Sequence, residues 1–391
     1  MDFNYRCSIC STTYEISPDL TVCPDCSRSQ QTDQPLTGIL EVELRGTIDR
    51  SYSISELLPI GPEYFPAIPV GNTPLWEPEN LRSSMGFRRL YIKDDGSNPT
   101  ASFKDRASYL VSAAARKFNI EDITLASTGN AGSSMAGVGA AAGQRITLFL
   151  PETAPAAKLV QALQYGARVF RVNGNYDMAY DLSLAFSEQK GGMNRNTAYN
   201  PLTIEGKKTV SLEICQQLNQ APDLLFVSVG DGCILSGVYK GFRDLVELGV
   251  IPSVPRIIGV QAETSDALHR AYISGRFEKL PTSTIADSIC VDVPRNGLHA
   301  LSMLRKFNGE MMTVSDAQII QAQSYLSSST GLFTEPASAA AFAGFQKAAP
   351  RLDPDALVVV LTTGNGLKDS TSAMLGIQVP KTLIDTVDDI L

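Results

Sequence analysis

The sequence predicts an α/β protein with two doubly wound domains, preceded by a small cysteine-rich module. Two observations support this fold class. Short apolar runs alternate with amphipathic helical patterns from residue 90 onward, and two C-x-x-C pairs stand near the N-terminus. Repeated alternation of strand and helix is typical of parallel sheets whose two faces are covered by helices. The length of 391 residues is enough for two or three domains.

The predicted strands are nearly continuous apolar runs, as expected for buried parallel strands. They lie at residues 90–93, 123–126, 146–150, 168–172, 224–229, 256–261 and 357–362. The predicted helices lie between them, at residues 104–118, 131–142, 154–165, 176–189, 204–218, 234–248 and 317–328. We expect a zinc-ribbon-like module at 1–45; a family resemblance described below implies a large α/β domain at 46–107 and 208–391 and a small α/β domain at 108–207.

Composition and charge exclude several classes of function. The net charge of −8 argues against a surface for nucleic acid or for an anionic membrane. No apolar run reaches the length of about 18 residues that a membrane span needs. The N-terminal residues lack the apolar core of a signal peptide, so we expect a cytoplasmic protein. The two histidines, His269 and His299, lie in no recognisable motif, which argues against a histidine-based catalytic relay.

The cysteine pairs predict a structural zinc site. Cys7 and Cys10 form one C-x-x-C, and Cys23 and Cys26 form the other, with twelve residues between the pairs. Four thiolates presented by two such turns suit tetrahedral zinc and leave no open position for a substrate. Disulfides are the alternative, which a cytoplasmic location opposes. A module of about 45 residues is too short for a core of its own, so the metal is expected to hold it together.

Lys104 is the first candidate for chemistry. It follows the turn-rich segment 97–103 and stands at the expected start of a helix, two residues before Arg106. The positive end of a helix and a neighbouring guanidinium both disfavour an ammonium group and lower the pKa of the lysine. A lysine with a lowered pKa can attack a carbonyl and form a Schiff base. A solvated loop lysine is the alternative.

Three glycine-rich loops follow predicted strands, where ligands of doubly wound sheets collect. Residues 127–134 offer small residues and hydroxyls suited to a carboxylate. Residues 230–237 could hold a phosphate on backbone amides at a helix start, although they match neither a Walker A loop nor G-x-G-x-x-G. Residues 362–369 form the third loop. Each loop alone could simply be the connection between a strand and a helix.

Residues 98–106, with the sequence NPTASFKDR, resemble the cofactor-lysine motif of the threonine synthase family. These are fold-type-II pyridoxal phosphate enzymes of the tryptophan synthase β-like superfamily. Residues 127–130, 174–177, 200–209, 230–237 and 363–369 are similar to further segments of the family, in the family's order. N-terminal cysteine pairs also occur in some members. The resemblance covers about residues 65–375.

The resemblance implies that pyridoxal 5'-phosphate is the cofactor, bound in the large domain. Lys104 would hold it as a Schiff base and then act as base and acid, with Phe103 beside it. Asn130 would hydrogen-bond the cofactor's phenolic oxygen, and Thr363 would meet the pyridine nitrogen. The cofactor phosphate would be bound by Gly230, Asp231, Gly232, Cys233 and Ile234.

The small domain is implied to bind the substrate. Its carboxylate would lie among Ser127, Thr128 and Asn130, and Asn175 and Asn200 are further substrate-binding candidates. The family's reaction eliminates phosphate from O-phosphohomoserine and adds water at the β-carbon to give L-threonine. The family's members are commonly dimers, so we expect a homodimer.

Four positions depart from the family pattern. Asp231 places an acid in the phosphate loop, Ala131 stands where many members have a threonine, Asp181 aligns with an arginine that grips the substrate phosphate, and Asn365 replaces a histidine. These departures leave open a β-replacement or β-elimination on serine, threonine or phosphoserine, as in cysteate-synthase-like or dehydratase-like relatives. A zinc-ribbon interaction protein without catalysis is a third hypothesis.

Overall fold

The computed structural model describes residues 1–31, 33–49, 51–127, 129–152, 156–174, 176–378, 380 and 384–385. These residues form an N-terminal sheet of three strands and two larger sheets of six and four strands. The N-terminal sheet is antiparallel, with the order β2-β1-β3. Its strands are β1 (Asp2–Cys7), β2 (Thr13–Tyr14) and β3 (Leu40–Arg45).

The large sheet has six strands, and only its edge strand β4 runs antiparallel to its neighbour. Its strands are β4 (Leu75–Trp76), β5 (Leu90–Asp94), β10 (Leu224–Ser228), β11 (Arg256–Ala262), β12 (Glu310–Val314) and β13 (Val358–Thr362). Their order is β12-β11-β10-β13-β5-β4. The central strands β10 and β13 are buried along their whole length because helices cover both faces.

The small sheet has four parallel strands in the order β8-β7-β6-β9. They are β6 (Asp122–Ala126), β7 (Arg145–Pro151), β8 (Arg168–Val172) and β9 (Met193–Asn194). The strands of the small sheet thus lie within 122–194, between β5 and β10 of the large sheet. The chain leaves the large sheet after β5 and returns to it at β10.

Thirteen α-helices lie in the described part of the chain, and none is long and apolar enough to cross a membrane. Those that precede β10 are α1 (Glu79–Met85), α2 (Lys104–Lys117), α3 (Asn130–Ala142), α4 (Ala156–Gln164), α5 (Tyr176–Lys190), α6 (Leu202–Lys207) and α7 (Thr209–Leu218). Those that follow it are α8 (Cys233–Glu247), α9 (Ala267–Ser274), α10 (Gly297–Lys306), α11 (Asp316–Thr330), α12 (Pro336–Ala348) and α13 (Ser370–Ala373).

The predicted strands are all confirmed, each to within one residue at either end. The predicted helix at 204–218 is wrong in one respect, since it consists of two helices, α6 and α7, that meet at Lys208. Residues 154 and 155 of another predicted helix lie outside the described residues. The sequence reasoning missed the strands β1, β2, β3, β4, β9 and β12 and the helices α1, α9, α10, α12 and α13.

Candidate active site

A cavity of about 360 Å³ lies where the two larger sheets face each other, at the starts of α2, α3 and α8. Lys104, the first residue of α2, is half-buried in its wall. Residues of the first and second glycine loops line the same cavity: Ser127, Gly129, Asn130, Ala131, Gly230, Asp231, Gly232 and Ile234. The volume falls in the range of small-molecule sites, about 300–1,000 Å³. The fold therefore brings the candidate lysine and two of the three loops together.

The amine of Lys104 is prepared for chemistry at neutral pH. Burial lowers its pKa to about 8, and the positive charge of Lys207 adds to this effect. Asp231 and Glu335 act in the opposite direction. A substantial fraction of this amine is therefore neutral and nucleophilic close to pH 8.

Arg106 is not the neighbour that lowers this pKa, contrary to the expectation from sequence. Its guanidinium Nε donates to Asp95 Oδ2 at 2.5 Å, and its Nη1 donates to Glu213 Oε1 at 2.7 Å. Lys93 Nζ donates to Glu213 Oε2 at 2.7 Å in the same buried group. Arg106 thus fixes the first turn of α2 against the large sheet, and its charge is compensated there.

The predicted phosphate loop turns sharply into α8. Gly232 has a φ of 89°, and a Cβ on it would lie 2.8 Å from the Cβ of Ala300, so glycine is required there. The backbone N–H of Cys233 donates to Asp231 Oδ1 at 2.9 Å. The Asp231 carboxylate therefore accepts a hydrogen bond from one of the backbone N–H groups that the sequence predicted to bind a phosphate.

The first glycine loop presents Ser127 and Asn130 at the start of α3. Ser127 Oγ accepts from the N–H of Gly132 at 3.0 Å. Asn130 Nδ2 donates to both carboxylate oxygens of Glu335, at 2.8 and 3.0 Å. Thr128 and Asn175, two predicted substrate-binding residues, lie outside the described residues.

The third glycine loop lies directly behind Lys104. Phe103 N–H donates to the carbonyl of Thr363 at 2.9 Å, and Ser102 pairs with Gly364. The N–H of Thr363 donates to Ser338 Oγ at 2.7 Å. Phe103 is fully buried in the core beside the large sheet. Backbone pairing thus joins the lysine segment to the loop that carries Thr363.

Asn200 lies apart from these residues. Its Nδ2 donates to the carbonyl of Asn194 at 2.9 Å, and its Oδ1 accepts from the N–H of Leu202 at 3.0 Å. The side chain is buried and is committed to the turn before α6. These contacts give Asn200 a structural function in the turn, and its contact with a substrate stays a prediction.

The departures from the family pattern are distributed unevenly around the site. Ala131 and Asp231 line the cavity. Asp181, which aligns with an arginine of the family, is exposed on α5 and does not line the cavity. Its negative charge therefore does not enter the cavity lining. Asn365 Oδ1 accepts from the N–H of Leu367 at 3.0 Å and caps the turn that follows β13.

The sequence analysis did not single out Glu335 or Arg295, because the sequence gives no local signal for them. Glu335 lies about 230 positions from Lys104, at the start of α12, and the Glu-Pro pair there is its only hint. Asp177 and Arg295 both line the cavity, and Arg295 Nη2 donates to Asp177 Oδ1 at 2.5 Å. This ion pair joins α5 to the segment before α10, across the cavity mouth.

The sequence matches the family described as "Pyridoxal-phosphate dependent enzyme" over residues 67–364. It is 34% identical to a threonine synthase of Methanocaldococcus jannaschii over 387 residues, which cover 96% of this chain and 95% of the relative.

The chain belongs to the threonine synthase family of pyridoxal phosphate-dependent enzymes.

Further comparisons agree with membership of the threonine synthase family. A threonine synthase of Halalkalibacterium halodurans is 38% identical, covering 79% of this chain and 86% of the relative. Among solved structures, the threonine deaminase of T.th. has a TM-score of 0.66 at 25% identity, covering 75% of this chain and 92% of that one. Maize serine racemase shares the fold, with a TM-score of 0.67 at 22% identity, covering 78% of this chain and 93% of that one. The predicted fold class is confirmed, and the non-enzymatic hypothesis is set aside.

The residues of this threonine synthase family member fit a pyridoxal phosphate cofactor. Lys104 supplies a nucleophilic amine, and the glycine-rich loop at the start of α8 suits a phosphate. When bound, the cofactor supplies the electron sink for chemistry at an amino acid. In the predicted site, Lys104 would move the protons and the glycine loops would orient the substrate.

Cys7, Cys10, Cys23 and Cys26 converge in the N-terminal sheet module. Their four sulfur atoms all lie within 4.8 Å of one another, and Cys10 Sγ is 3.7 Å from Cys23 Sγ. All four are free cysteines. Zinc–sulfur bonds of about 2.3 Å would place tetrahedral sulfurs about 3.8 Å apart. The cluster therefore has the donors and the spacing that a zinc ion needs.

Proposed function

We propose that this enzyme converts O-phosphohomoserine and water to L-threonine and phosphate. The proposal rests on one observation above all. A lysine whose pKa is about 8 shares a cavity with two predicted loops, in a chain that a threonine synthase matches along nearly its full length. The carboxylate of the amino acid would meet Ser127 and Asn130, and Lys104 would move its protons.

The test is a substrate assay on the coloured holoenzyme. We expect O-phosphohomoserine to yield inorganic phosphate and threonine in equal amounts. Lys104→Ala should abolish both the products and the absorbance at about 410 nm that this cofactor gives when bound to a lysine. Lys117→Ala, on the exposed last turn of the same helix, is the matched control and should change neither.

A second function is favoured by Asp231 and by the likeness to threonine deaminase. An acid beside the phosphate loop opposes a second phosphate in the cavity. The second function is β-elimination or β-replacement on serine, threonine or phosphoserine. Turnover of one of these substrates, with none of O-phosphohomoserine, would replace the first proposal with the second.

We also propose that the four-cysteine cluster binds a structural zinc ion. The convergence of four free thiols supports this proposal. Metal analysis should find one zinc per chain in the parent and a clear loss in Cys7→Ser. Parent protein that is purified without chelator and contains no zinc would contradict it.

Two further proposals concern the protein's state and its location. We propose a homodimer, as is common in this family, and a cytoplasmic location, which agrees with the free cysteines. Light scattering on the purified holoenzyme should give twice the chain mass of 42.1 kDa. A monomer of unchanged activity would contradict the proposed dimer.

The proposed location is tested by cell fractionation. A tagged chain found outside the cytoplasm would contradict it.

A further inference from the structure

Arg195 is a buried cation without adequate partners. Its side chain is completely buried just after β9, and its Nη1 donates to Thr197 Oγ1 at 3.2 Å. Its Nε and Nη2 have no hydrogen-bond partner among the described residues. A buried charge with two unmatched donors is costly, because neither water nor protein compensates it. Thr197 lines the cavity, so Arg195 lies directly behind the cavity wall.

Lys207 is a second buried cation in the same region. It ends α6, is 1% exposed, and its Nζ donates to Cys233 Sγ at 2.8 Å. A thiol is a weak acceptor and compensates an ammonium poorly. Cys233 is the first residue of α8, so this cation is at the helix start that carries the glycine loop. The charges of both Lys207 and Arg195 reach Lys104, since both lower its pKa.

Other buried cations of this chain, unlike Arg195 and Lys207, are paired with carboxylates. Lys208 lies 2.9 Å from Asp244, and Lys240 lies 2.5 Å from the same carboxylate. Lys93 and Arg106 likewise pair with carboxylates. In the described part of the chain, neither Arg195 nor Lys207 forms an ion pair with a carboxylate. The fold therefore leaves two positive charges uncompensated at the start of α8.

We propose that Arg195 and Lys207 form a buried two-cation site for a phosphate monoester dianion, beside Cys233 at the start of α8. The cofactor and the substrate both carry this group. The cofactor's phosphate is the favoured source, because Lys207 contacts Cys233 in the loop assigned to that phosphate. The substrate's phosphate is the other source, and that assignment rests on the proposed function.

The cofactor source is tested by titrating the apoenzyme with pyridoxal 5'-phosphate and with pyridoxal, which lacks the phosphate. We expect Lys207→Met and Arg195→Met each to raise the Kd for pyridoxal 5'-phosphate at least tenfold. The Kd for pyridoxal should rise less, because it is changed only through the higher pKa of Lys104 that follows loss of the positive charge, so the ratio of the two Kd values should shift. Lys117→Met is the control, since it removes an exposed lysine without changing the cavity.

The substrate source is tested on the holoenzyme, at saturating cofactor, by titrating inorganic phosphate and following the cofactor absorbance. Weaker binding of inorganic phosphate in the variants, with an unchanged ratio of the two aldehyde affinities, would assign the site to the substrate. If both measurements match the parent, the proposal is overturned. A shifted ratio without turnover of O-phosphohomoserine would keep the site and reject only the proposed reaction.

Folding is checked separately. Circular dichroism of each apo variant should show the parent's helix content. If a methionine variant does not fold, Lys207→Gln and Arg195→Gln keep a polar side chain and remove the charge. The same changes are expected for them, and an unchanged affinity ratio together with unchanged binding of inorganic phosphate would overturn the proposal.

Discussion

If Lys104 binds the cofactor, as we propose, its charge state controls whether the cofactor can attach. A free lysine has a pKa of about 10.4, whereas burial and the charge of Lys207 lower that of Lys104 to about 8. The amine is neutral above its pKa, so attachment becomes faster as the pH rises through that value. We expect the rate of reconstitution of the apoenzyme to have its midpoint at about pH 8. Stopped-flow absorbance measures it, and a midpoint close to pH 10 would contradict the electrostatics described above.

Asp231 offers a second test at the scale of one residue. Its negative charge raises the pKa of Lys104, and its carboxylate accepts a hydrogen bond from the N–H of Cys233. Asp231→Asn should therefore move the reconstitution midpoint below pH 8. It should also strengthen binding of pyridoxal 5'-phosphate severalfold, because a repulsion with the phosphate is removed. The control is Asp181→Asn, which removes an exposed acid and should change neither quantity. An unchanged midpoint in Asp231→Asn would show that this carboxylate does not act on the lysine.

At the scale of elements, α2 is held in place by a buried ionic group, and Glu213 on α7 is its centre. Burial alone would raise the pKa of Glu213, but the charges of Arg106 and Lys93 lower it to about 2. A carboxylate whose pKa is lowered by folding stabilises the protein above its unfolded pKa. That stabilisation is lost as the pH falls from about 4.5 towards 2.

Glu213→Gln should lower the free energy of unfolding by about 3–5 kcal/mol, since it leaves the buried Lys93 without its carboxylate partner and Arg106 with Asp95 alone. Urea unfolding at pH 7 measures the loss, and the variant should also lose the part of the acid sensitivity between pH 4.5 and 2. Glu121→Gln breaks an ion pair with Arg145 that is largely exposed, so its effect should stay below about 1 kcal/mol. Equal effects of the two substitutions would refute this function of Glu213.

Elements that could be predicted from the sequence differ from those that were missed in their pattern of apolar and polar residues. Buried strands such as β10 and β13 are continuous apolar runs between loops, so their positions could be predicted to within one residue. The helix α12 was missed because it is buried almost all round and lacks a polar face. The break between α6 and α7 has no glycine or proline at Lys208 to indicate it.

The site was predictable where its chemistry is local in sequence. Lys104 and the glycine loops stand in short segments with a recognisable composition. Glu335, which contacts Asn130, and Arg195, which lies behind the cavity wall, are brought to the site only by the topology of the two sheets. No sequence pattern around either residue indicates this placement. The ion-pair partners of Arg106 could not be predicted from the sequence either, because Asp95 and Glu213 are about 10 and 110 positions away.

At the scale of the whole molecule, the N-terminal module is attached to the helix that begins at the phosphate loop. Glu41 on β3 accepts from Arg243 Nη1 on α8 at 2.9 Å and lies 3.0 Å from His299 Nε2 on α10. A second link runs from Asp33 to Lys279 at 2.6 Å. The module therefore supports the large domain from outside and contributes no residue to the described cavity lining.

This arrangement predicts that loss of the metal affects stability more than the site. If the proposed zinc ion holds the short module together, its removal by a chelator should lower the Tm by several degrees. The cofactor absorbance at about 410 nm should persist at low temperature. Glu41→Gln, which spares the four cysteines, should reproduce part of the Tm loss, and added zinc should restore the chelated parent. If chelation abolished the absorbance and left the Tm unchanged, the module would have to act on the site itself, and its assignment as an external support would be wrong.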